Sequence, residues 1–365
     1  MKIKSLLIGS AAVMAVSTGG AKAADAIVMA EPEPMEYVRI CDVYGTGFFY
    51  IPGTETCLKI GGYVRYETRY IGYGANTWAN GALFDTGAAA TGAVPNYFYT
   101  RTRFTPKFDA RSETEIGTLR AYAEIEMNYE SITVLNPTGT ALALGGTQYF
   151  NIAHAFIEIN SANGVLRIGR THTPFARFLG YGPGGFTFDG AYGYSNRDEI
   201  SYTFNGSNGF SAILAVVEDA GDTDWVPDVE GGFNLAQGWG SFGVIAGYDE
   251  STATWGVRGA LRFSAPNSGI SGGLHVFYSS GAGAGRQYAA STTTTANWSV
   301  LGHATFQFTP KVAANVMAQW FDTGAWDIGA SLALTPAEGL LIRPEIHYLT
   351  GPGAWLGVVR FQRDF

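Results

Sequence analysis

Between residues 58 and 129 apolar and polar residues alternate with a regularity that only an extended chain can use. In residues 58–69, Leu58, Ile60, Val64 and Tyr66 share one parity, while Lys59, Tyr63, Arg65, Glu67 and Arg69 share the other. Residues 98–110 set Phe98, Phe104, Phe108 and Ala110 against Arg101, Arg103, Lys107 and Asp109. Residues 119–129 set Leu119, Ala121, Ala123, Ile125 and Met127 against Arg120, Tyr122, Glu124, Glu126 and Asn128. Successive side chains of a strand leave on opposite faces, so each segment is greasy on one side and wet on the other. A helix, with its period of 3.6, would mix the two sets. Ten alternating residues are about what a tilted strand needs to cross a bilayer.

Weaker stretches of the same kind follow at residues 150–159, 165–171, 199–204, 210–217, 227–236, 242–248, 255–263, 270–278, 298–308, 312–320, 326–334, 340–349 and 355–365, for about sixteen strands in all. The connections alternate as well. Short turns fall at residues 111–117, 161–164, 205–209, 237–240, 264–269, 309–311 and 335–339, and long loops at 70–97, 130–149, 172–198 and 279–297. Short turns at one end and long loops at the other describe a bacterial outer-membrane barrel. Tyr129, Tyr202, Trp255, Trp298, Trp326 and Trp355 stand near strand ends, where rings form girdles at the headgroup level. A soluble sandwich core is the competing reading of these aromatics. Composition weighs against it, since charged residues are 15% of the chain, against about 25% in ordinary domains. The expected fold is therefore all-β, a transmembrane antiparallel barrel over residues 58–365.

Residues 1–23 read as a signal peptide. Lys2 and Lys4 precede an apolar stretch from Leu6 to Val16, and Ala21-Lys22-Ala23 offers a small-x-small cleavage site. That stretch is shorter than the roughly 20 residues of a membrane helix. Its removal takes three lysines and no acid, moving the formal charge from −8 to −11, which argues against nucleic acid as a partner. A leader over residues 24–57 follows, with Glu31-Pro32-Glu33-Pro34 and the chain's two cysteines, Cys41 and Cys57. An even count and an exported setting favour a disulfide; the alternative is two unpaired thiols. With no histidine near either cysteine, no metal and no cofactor is expected there.

The blocks Tyr37-Val38-Arg39-Ile40-Cys41-Asp42, Tyr50-Ile51-Pro52-Gly53-Thr54-Glu55-Thr56-Cys57 and Gly62-Tyr63-Val64-Arg65-Tyr66 resemble the alphaproteobacterial (rhizobial-type) general porins. So do Gly238-Trp239-Gly240-Ser241 and the ending from Val359 to Phe365. The resemblance covers essentially the whole exported chain. It implies a sixteen-stranded outer-membrane barrel, a homotrimer and passive diffusion of small hydrophilic solutes. It also implies that the third long loop, after the fifth barrel strand, folds inward, and that terminal Phe365 is the signal read by the barrel-assembly machinery. Outer-membrane lipid and lipopolysaccharide are the expected surroundings.

A barrel of this size encloses water. Parity puts Lys59, Arg65, Arg69, Arg101, Arg103, Lys107 and Arg120 on its inner wall, with Arg258, Arg262 and Arg343 as further members. On the lipid face each cation would cost about 2–4 kcal/mol near the midplane. Glu124 and Glu126 are expected beside these cations. In the third loop Phe178, Phe186 and Phe188 are candidate anchors, the glycines at 180, 182, 184 and 185 permit tight paths, and Asp189 is the candidate to face the arginine wall; the competing reading is a disordered outward loop. The acidic run Glu218-Asp219-Ala220-Gly221-Asp222-Thr223-Asp224 hints at calcium but lacks an EF-hand pattern, so it reads as a solvated external loop. His154, His172, His275, His303 and His347 fall in separate segments and assemble no nucleophile, base and orienting group. A substrate-specific channel and, more remotely, a barrel enzyme are the alternative functions.

Overall fold

The computed structural model describes residues 39–72, 97–131, 146–191, 193, 195–219, 225–265, 268–281, 288, 296–351 and 353–365. The signal segment, the Glu-Pro run, most of the first two long loops, and Asp222 and Asp224 lie outside the described residues. Within them the chain is nearly all strand: β1 (Phe49–Tyr50), β2 (Cys57–Ile71), β3 (Tyr97–Thr114), β4 (Gly117–Glu130), β5 (Thr147–Ser161), β6 (Gly164–His172), β7 (Asn196–Asn205), β8 (Phe210–Val217) and β9 (Asp228–Gln237). The second half adds β10 (Gly240–Asp249), β11 (Thr254–Ala265), β12 (Ile270–Ser279), β13 (Trp298–Thr309), β14 (Val312–Phe321), β15 (Trp326–Ala337), β16 (Leu340–Leu349) and β17 (Ala354–Asp364). One helical turn, α1 (Pro174–Arg177), follows β6.

The two-residue β1 pairs with the start of β2 and, through Phe49, with Ile40, and stands outside the ring. The other sixteen each pair antiparallel with the next in sequence, and β17 returns to β2 through Gly357↔Tyr70 and Gln362↔Arg65. Phe365 extends that seam: its N–H donates to Gly62 O, and Gly62 N–H donates back to Phe365 O, both at 3.0 Å. Its ring stacks on Phe104 at 6.2 Å. Closure matters because an open edge in hydrocarbon would leave backbone groups unpaired.

Burial is inverted relative to a soluble domain. Leu214, Ile200, Ile346 and Phe361 are exposed, whereas Glu67, Arg101, Arg258, Gln319 and Glu345 are buried. This inversion removes the sandwich reading, which requires an apolar interior. The outward aromatics gather at strand ends in contact rows: Trp255, Tyr278 and Trp298 are spaced 5.0 and 4.7 Å, and Tyr348 lies 4.7 Å from Trp355.

Most strands run one to four residues beyond the alternating segments, and the end of β3 moves furthest. Alternation loses contrast after residue 110, yet β3 continues to Thr114 and the turn shrinks to Glu115 and Ile116. Arg111 still faces inward, where Asp109 holds it at 2.8–2.9 Å. Thr114 Oγ1 donates to Gly117 O at 2.6 Å and closes the turn.

Cys41 and Cys57 are joined in a disulfide. The loop that they close packs Phe48 beneath Arg111 and Lys59, both on the inward face of the short-turn end. Tyr44 donates its hydroxyl to Glu113 at 2.8 Å, and burial together with that carboxylate pushes its phenol up to about 12.

Candidate functional site in the barrel lumen

The first wall is built by register. Antiparallel pairing sets Glu67 opposite Arg101 on one side and Arg360 on the other. The Glu67 carboxylate therefore receives three guanidinium groups: Arg69 at 2.5 Å, Arg101 at 3.1 Å and Arg360 at 2.5 Å. Glu67 is wholly buried and Arg101 only 4% exposed, so the pairs form in a poorly screened setting. Arg103 binds Asn128 at 2.6 Å and pairs with Glu126. Lys107 reaches Glu124 at 3.2 Å. Arg120 binds Asp109 at 2.9 Å and lies 3.7 Å from Glu158. Arg65 donates to Gln362 at 2.8 Å and lies over the Tyr63 ring at 4.4 Å.

The second wall holds a loop. From β6 the chain turns inward through α1, whose Phe175 N–H donates to Glu230 of β9 at 2.6 Å. Arg258 of β11 then donates to Phe175 O at 2.9 Å, Ala176 O at 2.7 Å and Gly180 O. Arg262 donates to Tyr181 O at 2.7 Å, and Ser331 of β15 to Gly185 O at 2.6 Å. Glu345 of β16 accepts the amides of Thr187 at 2.6 Å and Phe188 at 2.9 Å. Arg360 donates to Thr187 Oγ1 at 3.0 Å, and Gln319 of β14 both accepts from and donates to Ala191 at 2.7 Å. Strands β9, β11, β14, β15, β16 and β17 thus all hold the loop's backbone or hydroxyls.

Aromatic anchors complete the attachment. Phe175 and Leu179 pack with Ile213, Ile245, Ala260 and Tyr288, and Phe178 packs against that group. Phe186 packs with Phe277, Leu301 and Met317, and Phe188 with Ile71, Tyr99 and Leu356. Gly185 takes φ +93, and a Cβ there would meet Asn315 Nδ2 at 2.5 Å, so neither the backbone nor the space tolerates a side chain. Tyr181 donates to or accepts from His172 Nδ1 at 2.7 Å, and burial raises its phenol pKa against the opposing field of Arg177.

Sixteen closed strands around a polar interior, with an apolar exterior, agree with the family to which the sequence is similar. A family described as "Porin subfamily" matches residues 25–358. Porin Omp2b of Brucella suis is 37% identical over 398 residues, and that of Brucella canis 36%, each covering all of both chains. The chain belongs to the porin family. Among solved structures, the outer-membrane channel DcaP of Acinetobacter baumannii shares the fold at TM-score 0.63 and 13% identity, covering 87% of this chain and 99% of that one. A mutant of Rh. blastica porin does so at TM-score 0.52 and 16% identity, covering 84% and 100%. The protein is an outer-membrane porin.

Within this porin, Glu124 and Glu126 lie beside Lys107 and Arg103, as their parity suggests. Asp189 stands next to Phe188, and its field reaches Arg343 of β16. Arg258 departs from expectation: it is wholly buried beneath the loop rather than facing water. Parity gave its face correctly but not what covers that face. Glu67, Arg360, Glu230, Glu345 and Gln319 were not singled out from sequence. Glu67 and Glu345 do alternate in phase with inward residues, but Gln319 and Arg360 meet partners more than 100 residues away.

Proposed function

We propose that this porin is a general diffusion channel, passing small hydrophilic solutes and ions passively and without catalysis. The observation that carries the reading is the third loop, held inside a closed and polar lumen by side chains from strands on the far wall. Such a loop narrows a sixteen-strand barrel without sealing it. Arg65, Arg101, Arg103, Lys107, Arg120, Glu124, Glu126, Arg262 and Asp189 are the proposed constriction and lumen charges. Cations and carboxylates interleave there, which supports weak ion selectivity, since selectivity follows lumen width and uncompensated rings of charge. The proposal includes a homotrimer in outer-membrane lipid and lipopolysaccharide, export by residues 1–23, and recognition of Phe365 during assembly.

Purified protein in a planar bilayer is expected to give stable conductance steps that neutral solutes block up to a size cut-off. A membrane that stays sealed after insertion would overturn the reading. Competition by one sugar class alone would replace it with a substrate-specific channel.

A further inference from the structure

At the long-loop end of the inner wall, Asp219, Asp228 and Asp249 converge, with one carboxylate oxygen of each within 4.8 Å of the others. Their meeting follows from register. Asp228 opens β9 opposite Val217, and Asp219 lies two residues past Val217 on the same face. Asp249 closes β10 one step beyond the Tyr248↔Val229 pair, which brings it beside Asp228. Asp228 is wholly buried and Asp249 only 4% exposed.

Two of these carboxylates are fixed in place. Asp228 Oδ1 accepts the Glu250 amide at 3.1 Å, while Asp249 Oδ1 accepts Ser251 Oγ at 3.1 Å and the Thr252 amide at 2.9 Å. The remaining oxygens are the informative ones. Asp228 Oδ2 and Asp219 Oδ2 are both buried, and neither has a hydrogen-bond donor among the described residues. Like charges facing each other across neighbouring strands are destabilising, and a buried charge without a partner is more so. Arg197 contributes a favourable field at Asp228, but none of the three aspartates pairs with a described cation. The site therefore has fixed anionic oxygens, low exposure and no paired counter-charge among the described residues.

We propose that Asp219, Asp228 and Asp249 bind a calcium ion at the outer rim of the lumen. Calcium accepts carboxylate and water oxygens at about 2.3–2.6 Å in flexible geometry, so two bonds span the separations found here. Magnesium, at about 2.0–2.1 Å, demands near-ideal octahedral geometry and gives up its water reluctantly, which a trio of carboxylates from separate strand ends serves less well. The bound ion joins the connection after β8 to the end of β10 and converts a repulsive trio into a brace at the channel mouth.

The test uses full-length protein refolded in detergent without lipopolysaccharide, which itself collects divalent cations. The protein is stripped with chelator and titrated calorimetrically with calcium chloride. Saturable binding of one ion per chain is expected, with a higher unfolding temperature in calcium. Both effects should vanish in Asp228→Asn and Asp249→Asn and persist in Glu218→Gln, an exposed neighbour outside the trio. Absence of saturable binding to the wild-type chain overturns the proposal whatever the variants do. Undiminished binding in both Asn variants overturns it too. A wild type indifferent to calcium, with Asp228→Asn more stable than it, would assign the trio to a shared proton instead.

Discussion

The two walls of the lumen use the same residue types for different ends. On β2, β3 and β17 the inward arginines pair with carboxylates of the wall itself, and Glu67 binds Arg69, Arg101 and Arg360 at once. On β11, β14, β15 and β16 the inward side chains satisfy a loop, and Arg258 directs its guanidinium to three loop carbonyls. One wall holds a fixed pattern of charge, and the other holds the object that the pattern faces. Arg360 belongs to both, because it binds Glu67 and also donates to Thr187 of the loop. Charge on an inner wall is therefore not in itself evidence of contact with solute.

The largest expected effect separates the walls outright. Glu67→Gln leaves three buried guanidinium groups without their shared anion and should cost about 3–5 kcal/mol, read as a lower urea midpoint of the folded barrel. The loop should keep its other anchors, so conductance should change less than stability. A midpoint equal to wild type would mean that the network contributes nothing net.

A smaller loss is expected from Arg258→Met, which keeps the apolar bulk and removes the donors. A net loss of about 1.5–3 kcal/mol in all is expected, the size of one hydrogen bond to a charged group, because the three freed loop carbonyls can relax toward water. The diagnostic result is functional: noisier and larger single-channel currents, with reversal potential under a salt gradient nearly unchanged. A shift in reversal potential without added noise would move Arg258 from the loop wall to the charge wall.

The smallest effect belongs to Lys107→Gln. Its ammonium is partly exposed and 3.2 Å from Glu124, and such pairs contribute under about 1 kcal/mol. Stability should barely move, while the reversal potential shifts toward cations because Glu124 is left uncompensated. An unchanged potential would place Lys107 outside the path of the ions.

What the sequence made legible was whatever depends on neighbours along the chain. Two-residue alternation showed which side of β2, β3 and β4 faces water, turn lengths showed which end carries the loops, and the count of two cysteines pointed to their pairing. Legibility stopped where contacts depend on the path of the third loop. Arg258 and Arg103 have the same parity signature, and only the loop's route decides that the first is covered. The aspartates at 219, 228 and 249 illustrate the same limit, since the acidic run contributes one member and two separate strand ends contribute the others. Phe186 and Phe188 were readable as anchors because large rings inside a glycine-rich loop have few other uses, but Glu345 as the acceptor for the Thr187 and Phe188 amides, and Gln319 as the partner of Ala191, were not.

The central claim is that the third loop lies in the path of the current. Gly184 offers a direct probe, since a Cβ there meets nothing within 4 Å and both native cysteines are already in the disulfide. Gly184→Cys, held open in a planar bilayer and treated with a charged, bulky thiol reagent, should show a stepwise fall in single-channel conductance. Confirmed labelling with no change in current would place the loop outside the channel and contradict the account.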